Sequence, residues 1–411
     1  MHSGWRRAGW ALAALLAAVA CGPDADAPAP ASSRADADAA LDADLDRLRA
    51  LGYVGYTDER VDPDAERVTD YDPVRSAPGY NLISNRDLCS AQLLDAQGRV
   101  VHEWRDAGSQ HWSNAELLPD GSLLVSGSRR SGSARERNFL LRLSWDGRIL
   151  WRRPLEAHHD AELTSAGAIA TLVHAFRRLP AIDADVDVKD SHIAILDAEG
   201  RLREDASLYD LLASAPERFR FQRVARMEEG KRFVDLLHPS SLEFAPHAEL
   251  AARHPIYAPT SVLVSIRHQD TIAIFDWPAR ELIWAWGQGE LSGPHDATYL
   301  PNGNLLVFDN GMESGRSRIV ELDPLAREIV WQYQADPPEA FFSLRKGSAQ
   351  RLANGNTLVA NSDSGEAFEV TPGGDVVWRL RNPNASPDGR RATIVRIKRY
   401  PKDLVEAWLR S

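Results

Sequence analysis

The stretch "SGPHDATYLPNGNLLVFDNG" (residues 292–311) decides the fold. Asn302-Gly303 is a tight-turn signal between two apolar runs. Leu305 to Phe308 reads as a short strand that ends at Asp309-Asn310-Gly311. The stretch is therefore a hairpin, and nothing about hairpin formation calls for the histidine that stands ahead of it at position 295.

The same hairpin signal recurs as "LPDGSLLVSG", "LTSAGAIATL" and "LANGNTLVAN". A second signal alternates with it: a turn, one or two charges, and an aliphatic run ending in tryptophan. It appears as "GRVVHEW", "GRILW", "ARELIW", "AREIVW" and "GGDVVW", carrying Trp104, Trp151, Trp284, Trp331 and Trp378. Each unit reads as four strands, with a period of about 40 to 50 residues, which is the pattern of a β-propeller blade. Units start near residues 80, 111, 158, 238, 295 and 343. The expected fold is all-β, a six-bladed β-propeller over residues 76–411 with four antiparallel strands per blade. The tryptophans are expected to pack between blades. The C-terminal run "RATIVRIKRYP" is expected to pair with the first unit and close the ring, since an open ring leaves bare sheet edges. Residues 209–237 fit no blade strand and read as an inserted, partly helical excursion.

The chain has 411 residues, 44% hydrophobic and 26% charged, with formal net charge -11. That composition is ordinary for a globular protein, and the negative balance argues against a nucleic-acid partner. Arg6 and Arg7 precede the apolar run "AGWALAALLAAVA", which ends at Cys21. This resembles a bacterial lipoprotein signal peptide over residues 1–20, with Cys21 as the lipidated residue. Gly22 after the cysteine implies the periplasmic face of the outer membrane. Residues 21–75 are expected to be an Ala/Asp/Pro-rich tether with a short helix through Leu45, Leu48 and Leu51. Cys89 then has no intramolecular partner.

Counting back eight residues from the hairpin glycine aligns the units. Gly303 leads to His295 and Gly167 leads to His159; "HPSSLEF" superposes on "HDATYLP" and brings His238 into phase. The second unit gives Ser113, with His111 two residues earlier, and the sixth gives Gly347. In a propeller this position starts the innermost strand, at one mouth of the central channel. One such histidine can be a structural cap. Three in phase point to chemistry, because imidazole offers a nucleophilic nitrogen and titrates near neutrality. Arg267, near a turn after "VLVSI", supplies a planar donor fork for an oxyanion. His268 and Asp270 beside it read as turn residues. Asp160 and Asp296, each following a histidine, could orient imidazoles or cap the strand start.

At these residues the chain resembles the bacterial arylsulfate sulfotransferase family. The carrying motifs are "HHDAEL", "LLHPSSLEF", "SIRHQDTIAIFD", "PHDATYLPNGNLLVFDNG" and "SAQRLANGNTLVANSDSGEAFEV". The resemblance implies transfer of a sulfuryl group from an aryl sulfate ester to a phenolic acceptor through a sulfohistidine. It implies His295 as nucleophile, His238 and Arg267 on the sulfate oxygens, His238 also as acid or base, and His159 in binding and proton transfer. No phosphate-cradling glycine loop is present, so no nucleotide sulfate donor is implied. No cofactor and no metal are expected. The chain is expected to be a short branch of the family without an N-terminal β domain. Two other readings compete. One is a metal or quinone site using His159, Asp160, His238 and His295; the other is a non-catalytic, lipid-anchored propeller for ligand binding or assembly.

Overall fold

The computed structural model describes residues 55–129, 137–222 and 233–410. Six blade sheets follow one another along the chain, each built around consecutive antiparallel strands, with blades one and six completed by strands from the opposite end of the chain. Blade five shows the pattern. His295–Tyr299 is innermost, followed by Leu305–Asp309, Arg318–Asp323 and Glu328–Tyr333. All of Leu305–Asp309 is buried, because both faces of a blade pack against neighbouring blades. The innermost strands of blades two, three, four and six are His111–Leu117, Ala157–Leu163, Pro239–Phe244 and Ser348–Arg351.

Blade one takes its innermost strand from the far end of the chain. Ile397–Tyr400 pairs antiparallel with Tyr80–Asn85. The ring is thus closed by the C-terminal run, as its sequence implied.

A second closure was not anticipated. Val68–Tyr71 adds a fifth strand outside Val376–Arg381 of blade six, and Tyr56–Arg60 pairs with Arg390–Ala392. The tether expected through residue 75 has therefore given way to paired strands by residue 56. The outer strand of blade six offers open N–H and C=O groups, and "VTDY" is rich in β-formers, so pairing is favoured. The expected signal peptide, Cys21 and the rest of the tether lie outside the described residues. Within 209–237, Leu208–Ala213 is helical, capped by the Ser207 hydroxyl that accepts from the Asp210 N–H at 3.0 Å. Phe233–Val234 then runs parallel to blade three's third strand. No helix among the described residues is long and apolar enough to cross a membrane.

The recurring tryptophans join blades. The indole N–H of Trp104 donates to the Ser144 carbonyl (3.1 Å), Trp151 to Ala198 (3.1 Å), Trp284 to Pro324 (2.9 Å) and Trp331 to Pro372 (2.9 Å). Trp378 donates to Ala96 at 2.8 Å and so links blade six to blade one. Each acceptor lies in the outer turn of the next blade. Blade three has no such tryptophan. There the bond runs backwards, from Trp277 of blade four to Glu204 Oε1 at 3.2 Å. A buried indole satisfied in this way combines large apolar burial with one paired donor.

Candidate active site

Innermost strands pair on one side only, so their channel-facing N–H groups need other acceptors. Side chains of the preceding blade supply them. Glu162 accepts from the Phe244 N–H at 2.6 Å and Asp160 from Leu242 at 3.2 Å. Glu243 accepts from Tyr299 at 2.6 Å, and Asp296 from Ala349 at 3.0 Å. Asp160 and Asp296 hence cap strand starts; neither is hydrogen-bonded to an imidazole.

The same strands begin with bulges. Pairing registers shift between His158 and Ala161, between Pro239 and Ser241, and between His295 and Thr298. His159 (φ 58), His238 (φ 45) and Asp296 (φ 49) sit in the left-handed region. A non-glycine residue there costs of order 1 kcal/mol, and bulges of this kind re-aim side chains at barrel and propeller rims. The register differs from the simple count in one respect. In blade five the left-handed residue is the one after the histidine, so His295 keeps ordinary strand geometry.

The bulges turn the histidines toward one another. The His159 and His238 ring centroids are 4.9 Å apart, and His238 and His268 are 4.6 Å apart. His268 belongs to the site rather than to a bland turn. Its Nδ1 meets the Asp235 carbonyl at 2.7 Å and therefore donates, which leaves Nε2 as an acceptor. That nitrogen receives an Arg267 N–H at 3.0 Å, and Arg267 Nη2 also donates to the Leu344 carbonyl at 3.4 Å. The Arg267 fork is thus held from two sides. Asp270, by contrast, is left-handed at φ 49, and its carboxylate accepts from the Gly293 N–H at 2.7 Å. This orders the loop that leads to His295.

His295 has the most constrained imidazole. Its Nδ1 lies 3.0 Å from the Gly293 carbonyl and 2.7 Å from Asn310 Oδ1. The Asn310 amide nitrogen is occupied with the carbonyls of Ser343 (2.6 Å) and Lys346 (3.0 Å), which fixes its oxygen toward the ring. Both partners of Nδ1 are acceptors, so Nδ1 carries the proton and Nε2 presents a lone pair. Burial pushes His295 down to about 3, helped by the Arg267 guanidinium. His238 is also pushed down to about 3 by burial, against the opposing pull of Asp235. Its Nδ1 meets Asp235 Oδ2 at 2.8 Å, so its Nε2 too is the free nitrogen. His159 lies well below the usual imidazole range through burial and then His238. Burial alone would raise the Asp235 carboxyl, but His238 and Lys189 outweigh it and hold the group well below its ordinary value. The result is a set of neutral imidazoles around one fixed guanidinium.

The four residues singled out in the sequence, His159, His238, Arg267 and His295, therefore occupy one mouth of the ring. Three further participants were not read there. Asp235 lies in the excursion outside the blade pattern, His268 reads in the sequence as a turn residue, and Asn310 as the end of a hairpin. The one available signal was spacing: Asp235 stands three residues before His238. His111 of blade two is half-buried and pushed down to about 4 by burial and Arg86. Asp235, His238 and His268 offer ligand atoms within 4.8 Å of one another. That set differs from the ion site drawn from the sequence, since it excludes His159, Asp160 and His295. Its donors are already directed at one another or at Arg267, and a fixed guanidinium beside a cation opposes binding.

A family model described as arylsulfotransferase (ASST) matches residues 115–383. The matched span contains His159, Asp235, His238, Arg267, His295 and Asn310. No curated protein matches the sequence. Among solved structures, a protein of unknown function from Bacteroides caccae is similar at 15% identity, covering 78% of this chain and 98% of that one, with TM-score 0.49. A catalytically inactive virginiamycin B lyase from Staphylococcus aureus with quinupristin is similar at 12% identity, 78% and 87% coverage, with TM-score 0.44. The sequence match covers well over half of the chain, and on that ground the protein belongs to the arylsulfotransferase (ASST) family.

Proposed function

We propose that this protein transfers a sulfuryl group from an aryl sulfate to a phenolic acceptor, with His295 Nε2 as the group that carries it between them. The family implies aryl sulfate and phenol as substrate classes. The observation that carries the finer reading is the fixed tautomer of His295. A neutral imidazole with its lone pair on Nε2 can attack without an added base, whereas a hydroxyl needs one.

In the donor half-reaction the Nε2–S bond forms as the S–O(aryl) bond breaks, and the phenolate leaves with the bonding pair. Sulfuryl transfer resembles phosphoryl transfer, with a loose transition state and charge on the peripheral oxygens. Arg267 supplies the cationic fork for those oxygens, and His238 and His159 line the same face. The ring of sulfated His295 carries positive charge. The Nδ1–H shares it with Asn310 Oδ1 and the Gly293 carbonyl, which therefore stabilise the product of attack. In the acceptor half-reaction the phenol oxygen attacks sulfur, Nε2 departs with the bonding pair, and the phenol proton passes to His238 Nε2. Asp235 stabilises the resulting imidazolium, which returns the proton to the next phenolate that needs it.

Cys21 is proposed to anchor the protein by lipid on the periplasmic side of the outer membrane. Labelled-palmitate incorporation that persists in Cys21→Ser would contradict this. For the chemistry, turnover of nitrophenyl sulfate with phenol is expected in the native protein and not in His295→Asn. A fully active variant would remove His295 from the role.

A further inference from the structure

The carboxylates next to two of the site histidines share one cation, and it comes from the far end of the chain. Arg396 stands one residue before the ring-closing strand Ile397–Tyr400. Its Nη1 donates to Asp160 Oδ1 at 2.9 Å and its Nη2 to Asp160 Oδ2 at 3.2 Å. Nη2 also donates to Asp296 Oδ1. Asp160 directly follows His159, and Asp296 directly follows His295. Both pairs lie in the bulges that aim the histidines. All three charged side chains are largely withdrawn from solvent, at 14%, 3% and 9% exposure for Arg396, Asp160 and Asp296.

The cluster reaches every blade. Asn114 of blade two donates to Asp160 at 2.8 Å. Asp160 belongs to blade three, and its other oxygen takes the Leu242 N–H of blade four at 3.2 Å. Asp296 belongs to blade five and accepts the Ala349 N–H of blade six at 3.0 Å. Arg396 enters from the closing strand of blade one. One guanidinium therefore sits at the junction of six sheets, directly beneath the histidine mouth.

We propose that Arg396 is a positioning residue for sulfuryl transfer: by bridging Asp160 and Asp296 it sets the spacing of His159 and His295. This rests on the transfer chemistry proposed above. A planar fork can bind one carboxylate bidentately while reaching the second, which an ammonium on a flexible stem cannot do. Two buried carboxylates without a counter-charge would repel and push their bulges apart. The bulges carry the histidines, so a displacement there is read at the reacting nitrogen rather than at the sulfate-binding fork of Arg267. Closure of the ring and assembly of the site are then one event, because the residue that ties the bulges arrives with the last inner strand.

The test compares native full-length protein with Arg396→Lys, with Lys398→Met, and with a triple variant joining Arg396→Met to Asp160→Asn and Asp296→Asn. Lys398 lies on the ring-closing strand itself and pairs with Glu116 at 2.7 Å. With nitrophenyl sulfate and phenol, Arg396→Lys and the triple variant are expected to lose on the order of a hundredfold in kcat, the scale of a 1 Å misplacement, with KM for the aryl sulfate unchanged. Lys398→Met is expected to keep native kcat. Side-chain NMR of the histidines is expected to show His159 and His295 displaced in Arg396→Lys, and His102, on the outer strand of blade one, in place. Native kcat and unmoved His159 and His295 signals in Arg396→Lys would overturn the proposal. Displaced signals in a protein whose native form never turns over aryl sulfates would support the positioning and defeat the sulfuryl reading instead.

Discussion

The mouth of the ring and the channel just below it are built from the same six inner strands, yet they hold opposite chemistry. At the mouth, the His159 and His238 rings stand 4.9 Å apart, and the Arg267 guanidinium is near enough to His295 to help lower its pKa. One to five residues further along, Asp160, Glu162, Glu243 and Asp296 are committed to backbone N–H groups of the next blade. Burial pushes the imidazoles and the two glutamates toward neutrality, from opposite sides. The imidazoles of His238 and His295 fall to about 3, and the Glu243 carboxyl rises to about 8. Glu162 moves the same way as Glu243 through the same cause. The difference teaches where chemistry resides in this molecule. Carboxylates spent on strand edges hold the ring together, and free imidazole nitrogens above them are available to react.

Breaking the mouth is expected to have the largest effect. His295→Asn removes the nitrogen proposed to attack, and turnover of nitrophenyl sulfate should fall to background while the melting temperature stays near native. Asn310→Ala leaves the nucleophile but frees its tautomer. By analogy with partners that orient ligating histidines, about 10- to 100-fold of kcat should be lost. Unaltered kcat in this variant would show that Gly293 alone fixes the ring.

The pH response separates the two regions further. An imidazole of ordinary value 6.5 would be about thirtyfold less available at pH 5 than when fully neutral. With His295 held near 3, formation of the sulfuryl enzyme should change little from pH 8 to pH 5. Stability carries opposite signs from the two sets. Unfolded histidines take up protons below about 6.5 that folded His238 and His295 refuse, so their contribution falls as pH drops from 6.5 toward 3. Folded Glu243 keeps its proton between about 4.5 and 8 while the unfolded chain releases it, so its contribution falls as pH rises through that window. Glu243→Gln is the smallest of these tests. It should flatten the upper window in thermal melts and leave kcat unchanged, and an unaltered slope would count against the assignment.

The blades were legible because their signals are local. Asn302-Gly303 announces a turn, and "LLVF" followed by "AREIVW" announces buried strands ended by an inter-blade tryptophan. Counting from the hairpin glycine then brings His159 and His295 to one mouth, and the match of "HPSSLEF" to "HDATYLP" brings His238 there. What the sequence concealed depends on contacts across long separations. Asn310 follows a strand, and only the loop at Ser343 and Lys346 turns its oxygen toward His295. Asp235 emerges from a segment with no blade pattern, and Arg396 stands 236 residues from Asp160. The second closure was missed because "VTDY" is four residues long and pairs with a partner some 300 positions away. No periodic pattern marks such a pairing.

His295 is proposed to carry the sulfuryl group between donor and acceptor. The most direct measurement is mass spectrometry of the native protein after incubation with an aryl sulfate and no acceptor, quenched under conditions that preserve N–S bonds. One added sulfuryl group is expected on the peptide containing His295, discharged when phenol is supplied. Modification at His238 or His159 instead, or released phenol with His295 unmodified throughout, would contradict it.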